Sequence, residues 1–242
     1  MKKLLVLLYG IGAYLVFLAA FLYAVGFVGN ILVPKSIDSD EQTNLTNALL
    51  INLLLLSVFA VQHTVMARPS FKAWWTKIID PAIERSTYVL LSSLALVLLY
   101  WKWQPITSIV WQVNDSLWVQ VIWFIHFFGW LVVLLSTFMI NHFDLFGLKQ
   151  VYENLKQVEP SRQALKMNFF YKIVRHPIMS GFLIAFWAAP VMTLGHLIFS
   201  GATTAYIIIA VKFFEERNLK ETHGKEYEEY QKKVPMLIPF VK

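Results

Sequence analysis

Two stretches of the 242-residue chain concentrate side chains able to move protons or hold charge. The first is Asn141-His142-Phe143-Asp144, followed closely by Gly147. An imidazole beside a carboxylate can be held in one tautomer and act as a proton acceptor near neutral pH. The same residues suit a helix end whose polar groups cap carbonyls, with Gly147 as the stop. Both readings stand on the sequence. The second stretch covers residues 171–240 and opens Tyr171-Lys172-Ile173-Val174-Arg175-His176-Pro177, with Gly181 four residues after the proline. Proline suits the first turn of a helix, which sets Arg175 and His176 at a helix N-terminus, where free amides favour an anion or carboxylate. Farther on, Glu216, Leu219, His223, Tyr227 and Tyr230 fall at offsets 0, 3, 7, 11 and 14. One continuous helix at ~100° per residue would gather them within roughly 80°. A surface helix ordinarily hides Leu, Ile or Val, whereas a face of carboxylate and phenol rings suits a bound cation. Gly224 is the residue that could break this helix and the alignment with it.

The elements that must position these residues are membrane helices. The chain is 57% hydrophobic and 15% charged, with a mean hydropathy of +0.56, which lies outside the range of soluble domains. A spanning helix needs ~20 apolar residues, and six segments qualify: 4–33, 45–66, 87–103, 117–140, 173–190 and 194–214. The first starts at Lys2 and Lys3, like a signal peptide, but its apolar run exceeds a cleavable segment and reads as a mature helix. The last two spans are separated only by residues 191–195, with Pro190 and Gly195 marking a tight helical hairpin. The predicted fold is therefore all-α. It is a polytopic membrane helix bundle of about six spans with a cytoplasmic C-terminal helix. It forms one integral-membrane domain over 1–242, with four spans in 1–140, a cytoplasmic loop in 141–172, and the hairpin and last helix in 173–242.

Nineteen of the 21 Lys and Arg residues fall on one side of this arrangement, leaving Lys35 and Lys102 on the other. The positive-inside rule then places both termini in the cytoplasm and the acidic loop 34–44 outside. The net charge of +6 follows from that topology and suits anionic lipid; no compact basic module exists to bind nucleic acid. Gln62, His63, Arg85, Tyr88 and His126 sit inside or at the edges of spans, where polar groups turn toward the bundle interior. His126, alone on an apolar helix, reads as a hydrogen-bonded structural histidine. Arg68, Lys72 and Lys77 read as loop cations meeting headgroups. The chain has no cysteine, which excludes disulfides, thiolate metal sites and cysteine nucleophiles. Its few histidines lack metal-ligand spacing. Two prolines in Val234-Pro235-Met236-Leu237-Ile238-Pro239 stop the last helix and turn an apolar tail back to the membrane.

The order Arg175-His176-Pro177, hairpin, Glu215-Glu216-x-x-Leu219, Gly224-x-x-Tyr227-x-x-Tyr230, then Val234-Pro235 and Pro239 resembles the isoprenylcysteine carboxyl methyltransferases and related integral-membrane methyltransferases. A longer resemblance, through Gln62-His63-Thr64-Val65-Met66-Ala67-Arg68-Pro69, Glu84-Arg85-Ser86-Thr87-Tyr88, the 141–147 segment and the 234–239 ending, is to bacterial methanethiol S-methyltransferases. Met179, His223 and Met236 depart from the carboxyl methyltransferase pattern, and the Val234-Pro235-Met236 ending suits the small-thiol branch. The resemblance implies S-adenosylmethionine as cofactor, held among Tyr171, Arg175, His176, Pro177, Gly181, Glu215, Glu216, Leu219, Tyr227, Tyr230 and Pro235. It implies methanethiol as acceptor, a small-molecule thiol methylated to dimethyl sulfide, in a protein integral to the bacterial cytoplasmic membrane.

Methyl transfer is an in-line displacement in which the thiolate is the reactive form. His142, oriented by Asp144, is the candidate base, and Arg175 or Arg85 the candidate positive field. No metal is called for. The competing readings are methylation of a prenylcysteine carboxylate or phospholipid amine, a non-catalytic denitrification-associated membrane protein, and a reductase, which lacks a dinucleotide fingerprint here.

Overall fold

The computed structural model describes residues 1–39, 44–159 and 165–241. Part of the predicted acidic outer loop, residues 40–43, and part of the predicted cytoplasmic loop, residues 160–164, lie outside the described residues. Among the described residues, five helices are long and apolar enough to cross a membrane: Lys2–Gly29, Leu45–Met66, Pro81–Lys102, Ser116–Ile140 and Leu194–His223. Many of their large apolar side chains are exposed, as on Leu50, Leu54, Leu117 and Phe124. Such a surface is stable against hydrocarbon and not against water. The protein is integral to a membrane.

The chain forms two compact units, Met1–Ile106 with Asn141–Arg162, and Thr107–Ile140 with Gln163–Lys242. In the first, α1 (Lys2–Gly29), α2 (Leu45–Met66) and α4 (Pro81–Lys102) make the bundle. Short α3 (Pro69–Trp75) follows α2. Asp80 caps α4 by accepting from Ala82 N at 3.0 Å, and Pro81 occupies the first helical position, where its missing N–H costs nothing. Helix α4 therefore starts six residues before the predicted span at 87. One-turn α6 (His142–Leu145) and α7 (Leu148–Lys156) close this unit, with Val151 of α7 fully buried.

The second unit departs from the expected pair of spanning helices. Strand β1 (Ile109–Gln112) precedes α5 (Ser116–Ile140), and a one-turn 3-10 helix at Phe169–Lys172 leads into α8 (Pro177–Trp187). Eleven residues rise only ~16 Å, about half of a ~30 Å hydrocarbon core. Pro177 sets the start, and Pro190 forbids continuation past Ala189. The predicted hairpin turn instead contains β2 (Val191–Thr193), paired antiparallel with β1. A helix end buried in protein needs donors for its last carbonyls, and buried side chains supply them. His126 Nδ1 lies 2.9 Å from Ala185 O, while Trp130 donates to His126 Nε2, which fixes the tautomer. His196 Nε2 and Ser200 Oγ reach Phe186 O at 2.9 and 2.8 Å. His126 is thus the structural histidine expected.

Helices α5 and α8 cross at Gly129 and Gly181. A Cβ on Gly181 would stand 2.7 Å from Gly129 O and 2.8 Å from Val133 N. Only hydrogen permits this backbone approach, the usual device of membrane helix pairs. Beyond β2 run α9 (Leu194–Ala210), a π turn (Val211–Glu215), α10 (Glu216–His223) and α11 (Lys225–Lys233).

Candidate functional site

In the second unit the residues before α8, the start of α10 and the end of α11 meet around one carboxylate. The π turn inserts an extra residue immediately before Glu216, which shifts α10 out of the register of α9; such turns recur at functional sites. Glu216 is 7% exposed. Its Oε1 accepts from Arg175 Nε at 2.8 Å, His176 Nε2 at 2.8 Å and Tyr227 Oη at 3.0 Å. Its Oε2 accepts from Arg175 Nη2 at 3.1 Å and from Gln231 Nε2. A carboxylate offers about four acceptor positions, so these five donors fill both oxygens.

Arg175 is equally committed, since its remaining nitrogen donates to the carbonyls of Gln231 and Val234. The tail is fastened to the same place: Arg175 N donates to Pro235 O at 2.9 Å, His176 N to Met236 O at 3.1 Å and Ser180 Oγ to Leu237 O at 2.6 Å. Leu237 is then buried with Ile207 and Val211, as the predicted turn-back of the apolar tail requires. Tyr230 Oη donates to Tyr171 O, and Leu219 packs on Tyr227, Tyr230 and Val234.

Glu215 differs from its neighbour. Its side chain is 46% exposed, with Oε1 3.4 Å from His176 Nδ1. Burial opposes a charge on His176, but Glu215 and Glu216, one at each ring nitrogen, push its pKa up to about 9. His176 is therefore a buried cation at neutral pH. Of the predicted cofactor residues, Tyr171, Arg175, His176, Glu215, Glu216, Leu219, Tyr227, Tyr230 and Pro235 gather in this network. Pro177 begins α8, and Gly181 is turned to the α5 crossing.

The helix does not run on past Gly224, the residue named as able to break it. Gly224 adopts φ 55°, ψ −130° between α10 and α11, a backbone conformation open to glycine alone. On an unbroken helix Tyr227 would lie ~16 Å along the axis from Glu216. The break lets the two bond directly.

The other predicted residues lie in the first unit. Asn141 is an N-cap, accepting from Asp144 N at 3.3 Å, so the segment starts a new turn where a helix stop was one reading. Gly147 accordingly serves as N-cap of α7. His142 is 6% exposed, its Nε2 2.8 Å from Tyr14 Oη and its ring edge-on to Phe146. Burial lowers its pKa, so it is neutral at pH 7. Asp144 Oδ1 accepts from Gln150 Nε2 at 2.8 Å, and Lys149 Nζ stands 3.6 Å from Oδ2. Arg85 Nε donates to Leu145 O at 2.7 Å while its guanidinium lies 5.1 Å over the Tyr88 ring. Tyr88 Oη bonds to His63.

Sequence reasoning missed Tyr14, Gln150 and Gln231. Tyr14 carried a usable signal, a hydroxyl inside an apolar span. Gln231 carried none, being one of several polar residues on a charged helix.

The fold and these clusters define a polytopic membrane protein built of helices, with a charge-dense clasp where its last long helix meets the tail. Residues 51–241 match the NnrU protein family. Methanethiol S-methyltransferase 2 of Bradyrhizobium diazoefficiens is 54% identical over 238 residues, 98% of this chain and 91% of the relative. The methanethiol S-methyltransferase of Crocosphaera subtropica is 51% identical over 242 residues, 100% of this chain and 94% of the relative. That of Mycobacterium tuberculosis is 49% identical over 240 residues, 99% and 98% of the two chains. The chain belongs to the NnrU family, alongside the methanethiol S-methyltransferases. No solved structure matches it.

Proposed function

We propose that this protein transfers a methyl group from S-adenosylmethionine to methanethiol, yielding dimethyl sulfide. The observation that carries the reading is whole-length identity near one half to relatives named for that reaction. When bound, the cofactor supplies an electrophilic methyl on a sulfonium. The second unit suits such a group: Glu215 presents a half-exposed carboxylate beside a buried imidazolium, able to accept hydrogen bonds from an ammonium or a ribose diol. Arg175, Glu216, His176, Tyr171, Tyr227, Tyr230 and Pro235 hold that edge in place, with Leu219 packed behind them. Pro177 and Gly181 set the start and seating of α8.

An alkanethiol is mostly protonated at neutral pH and must lose its proton to become a nucleophile. We assign acceptance of that proton to His142. Burial keeps its imidazole neutral, the state a base needs. Tyr14 positions the ring at Nε2, and Gln150 with Lys149 fix Asp144 on the same turn. Arg85 supplies a positive field at the Leu145 carbonyl. The protein resides in the bacterial cytoplasmic membrane as one domain with both termini in the cytoplasm, where the cofactor is made. The test is purified protein given radiolabelled S-adenosylmethionine with methanethiol and, separately, with a prenylcysteine. Label is expected in the volatile sulfide; label only in the prenyl product overturns the assignment. For topology, single cysteines introduced into the cysteine-free chain at 35 should react with an impermeant reagent in intact cells, and those at 156 and 233 should not.

A further inference from the structure

The corner between α2 and α3 carries a groove that the proposed reaction leaves unused. It is a shallow, open hollow of about 340 Å³, mostly apolar in its lining, formed by Val65, Arg68, Ser70, Phe71 and Trp74. Its place in the fold is informative. Val65 lies on the last turn of α2, a helix long and apolar enough to cross a membrane that ends at Met66, and the end of such a span is where hydrocarbon gives way to headgroups. Val65 is 44% and Trp74 52% exposed, a level at which apolar surface seeks acyl chain and indole prefers the interface. The lining also divides by chemistry, with a guanidinium and a hydroxyl beside one aliphatic and two aromatic side chains. Residues 67–79 contain Arg68, Lys72 and Lys77 and no acidic residue; Asp80 follows, and Glu84 of α4 acts on Lys72.

A groove that is cationic and hydroxylic at one part, apolar at the rest and set at headgroup depth matches the junction of an amphiphile. We propose that it binds an anionic glycerophospholipid. The phosphate is recognised by Arg68, whose planar fork suits phosphate better than an ammonium does, with Ser70 as a further donor. The glycerol and first methylenes lie against Val65, Phe71 and Trp74. Such a lipid would brace the α2 to α3 corner by burying apolar surface and neutralising charge together. The inference rests on the groove and its depth, independently of the methyl acceptor.

Native mass spectrometry of the full chain in detergent tests it, with dioleoyl phosphatidylglycerol and dioleoyl phosphatidylcholine offered at equal concentration. Phosphatidylglycerol adducts should exceed phosphatidylcholine adducts by about tenfold, because both lipids offer a phosphate but the choline cation offsets its charge beside Arg68, Lys72 and Lys77. Arg68→Gln should abolish that preference, and Arg68→Lys should restore part of it. Inorganic phosphate in large excess should leave the adduct intact; displacement by it would mark a free-anion site and overturn the lipid assignment. A preference for phosphatidylglycerol that survives Arg68→Gln, or none in the wild type, also overturns it. Should Arg68→Gln fail to fold, Trp74→Ala carries the test through a side chain already half in solvent. It must lower retention of both lipids, and unchanged retention refutes the groove.

Discussion

Replacing Glu216 by Gln keeps the shape of the side chain and removes its charge, which separates a structural carboxylate from a ligand-binding one. Side-chain exposures of 10% for Arg175 and 9% for Glu216 leave little solvent to screen the pair. The variant strands the guanidinium, and the new amide sets its own N–H groups against donors that now meet an acceptor. Breaking one partner of a buried ion pair costs ~3–5 kcal/mol, a large part of a total stability of ~5–15 kcal/mol. Glu215→Gln changes a half-exposed group that supports the His176 charge across a screened contact, and it should cost less, about 1–2 kcal/mol. Equilibrium unfolding in mixed micelles, followed by circular dichroism, measures both. Calorimetry with S-adenosylhomocysteine supplies the second axis. Glu215→Gln should weaken affinity about tenfold or more while staying folded, whereas Glu216→Gln should lose binding only as its folded fraction falls. A Glu216→Gln protein as stable as the wild type, yet unable to bind, would make Glu216 a direct ligand and refute the clasp.

The clasp also sets a pH dependence. His176 is raised from an ordinary value near 6.5 to about 9, so its stabilising charge is fully present below pH ~6.5 and is lost as pH rises through about 9. Unfolding curves should therefore weaken across that window, and His176→Gln should flatten the slope. His142→Ala should lower turnover per binding-competent molecule by ~10² to 10⁴ with S-adenosylhomocysteine affinity unchanged; unaltered normalised turnover removes it from the mechanism. In the wild type the acidic limb of the rate profile should fall below the ordinary histidine value, and Tyr14→Phe should move that limb. Gly181→Ala, stabilising by ~0.5–1 kcal/mol in an ordinary helix, should instead destabilise, because its Cβ would meet backbone atoms of Gly129 and Val133.

What was legible in the sequence followed from forces that act on composition and period. Long apolar runs imposed by ~30 Å of hydrocarbon located α1, α2, α4, α5 and α9. Side chains answering a single backbone need were hidden. Pro177 and Pro190 bound α8 in the sequence, but nothing there says how its end is satisfied, because its last carbonyls are met by His126, His196 and Ser200, 10 or more positions away in the chain. The difference between Glu215 and Glu216 was equally invisible, since a π turn decides which of two adjacent carboxylates is enclosed. The spacing argument gathered Glu216, Tyr227 and Tyr230 on one helical face, yet that face would have held the first two a helix-length apart. Gly224, noted as the residue that could spoil the alignment, supplies the reversal that brings Tyr227 Oη to 3.0 Å from the carboxylate. The periodicity selected residues that belong together for a reason the chain does not use. The glycine that violates the period is the element that assembles them, because a hydrogen bond requires contact and a shared helical face supplies only direction.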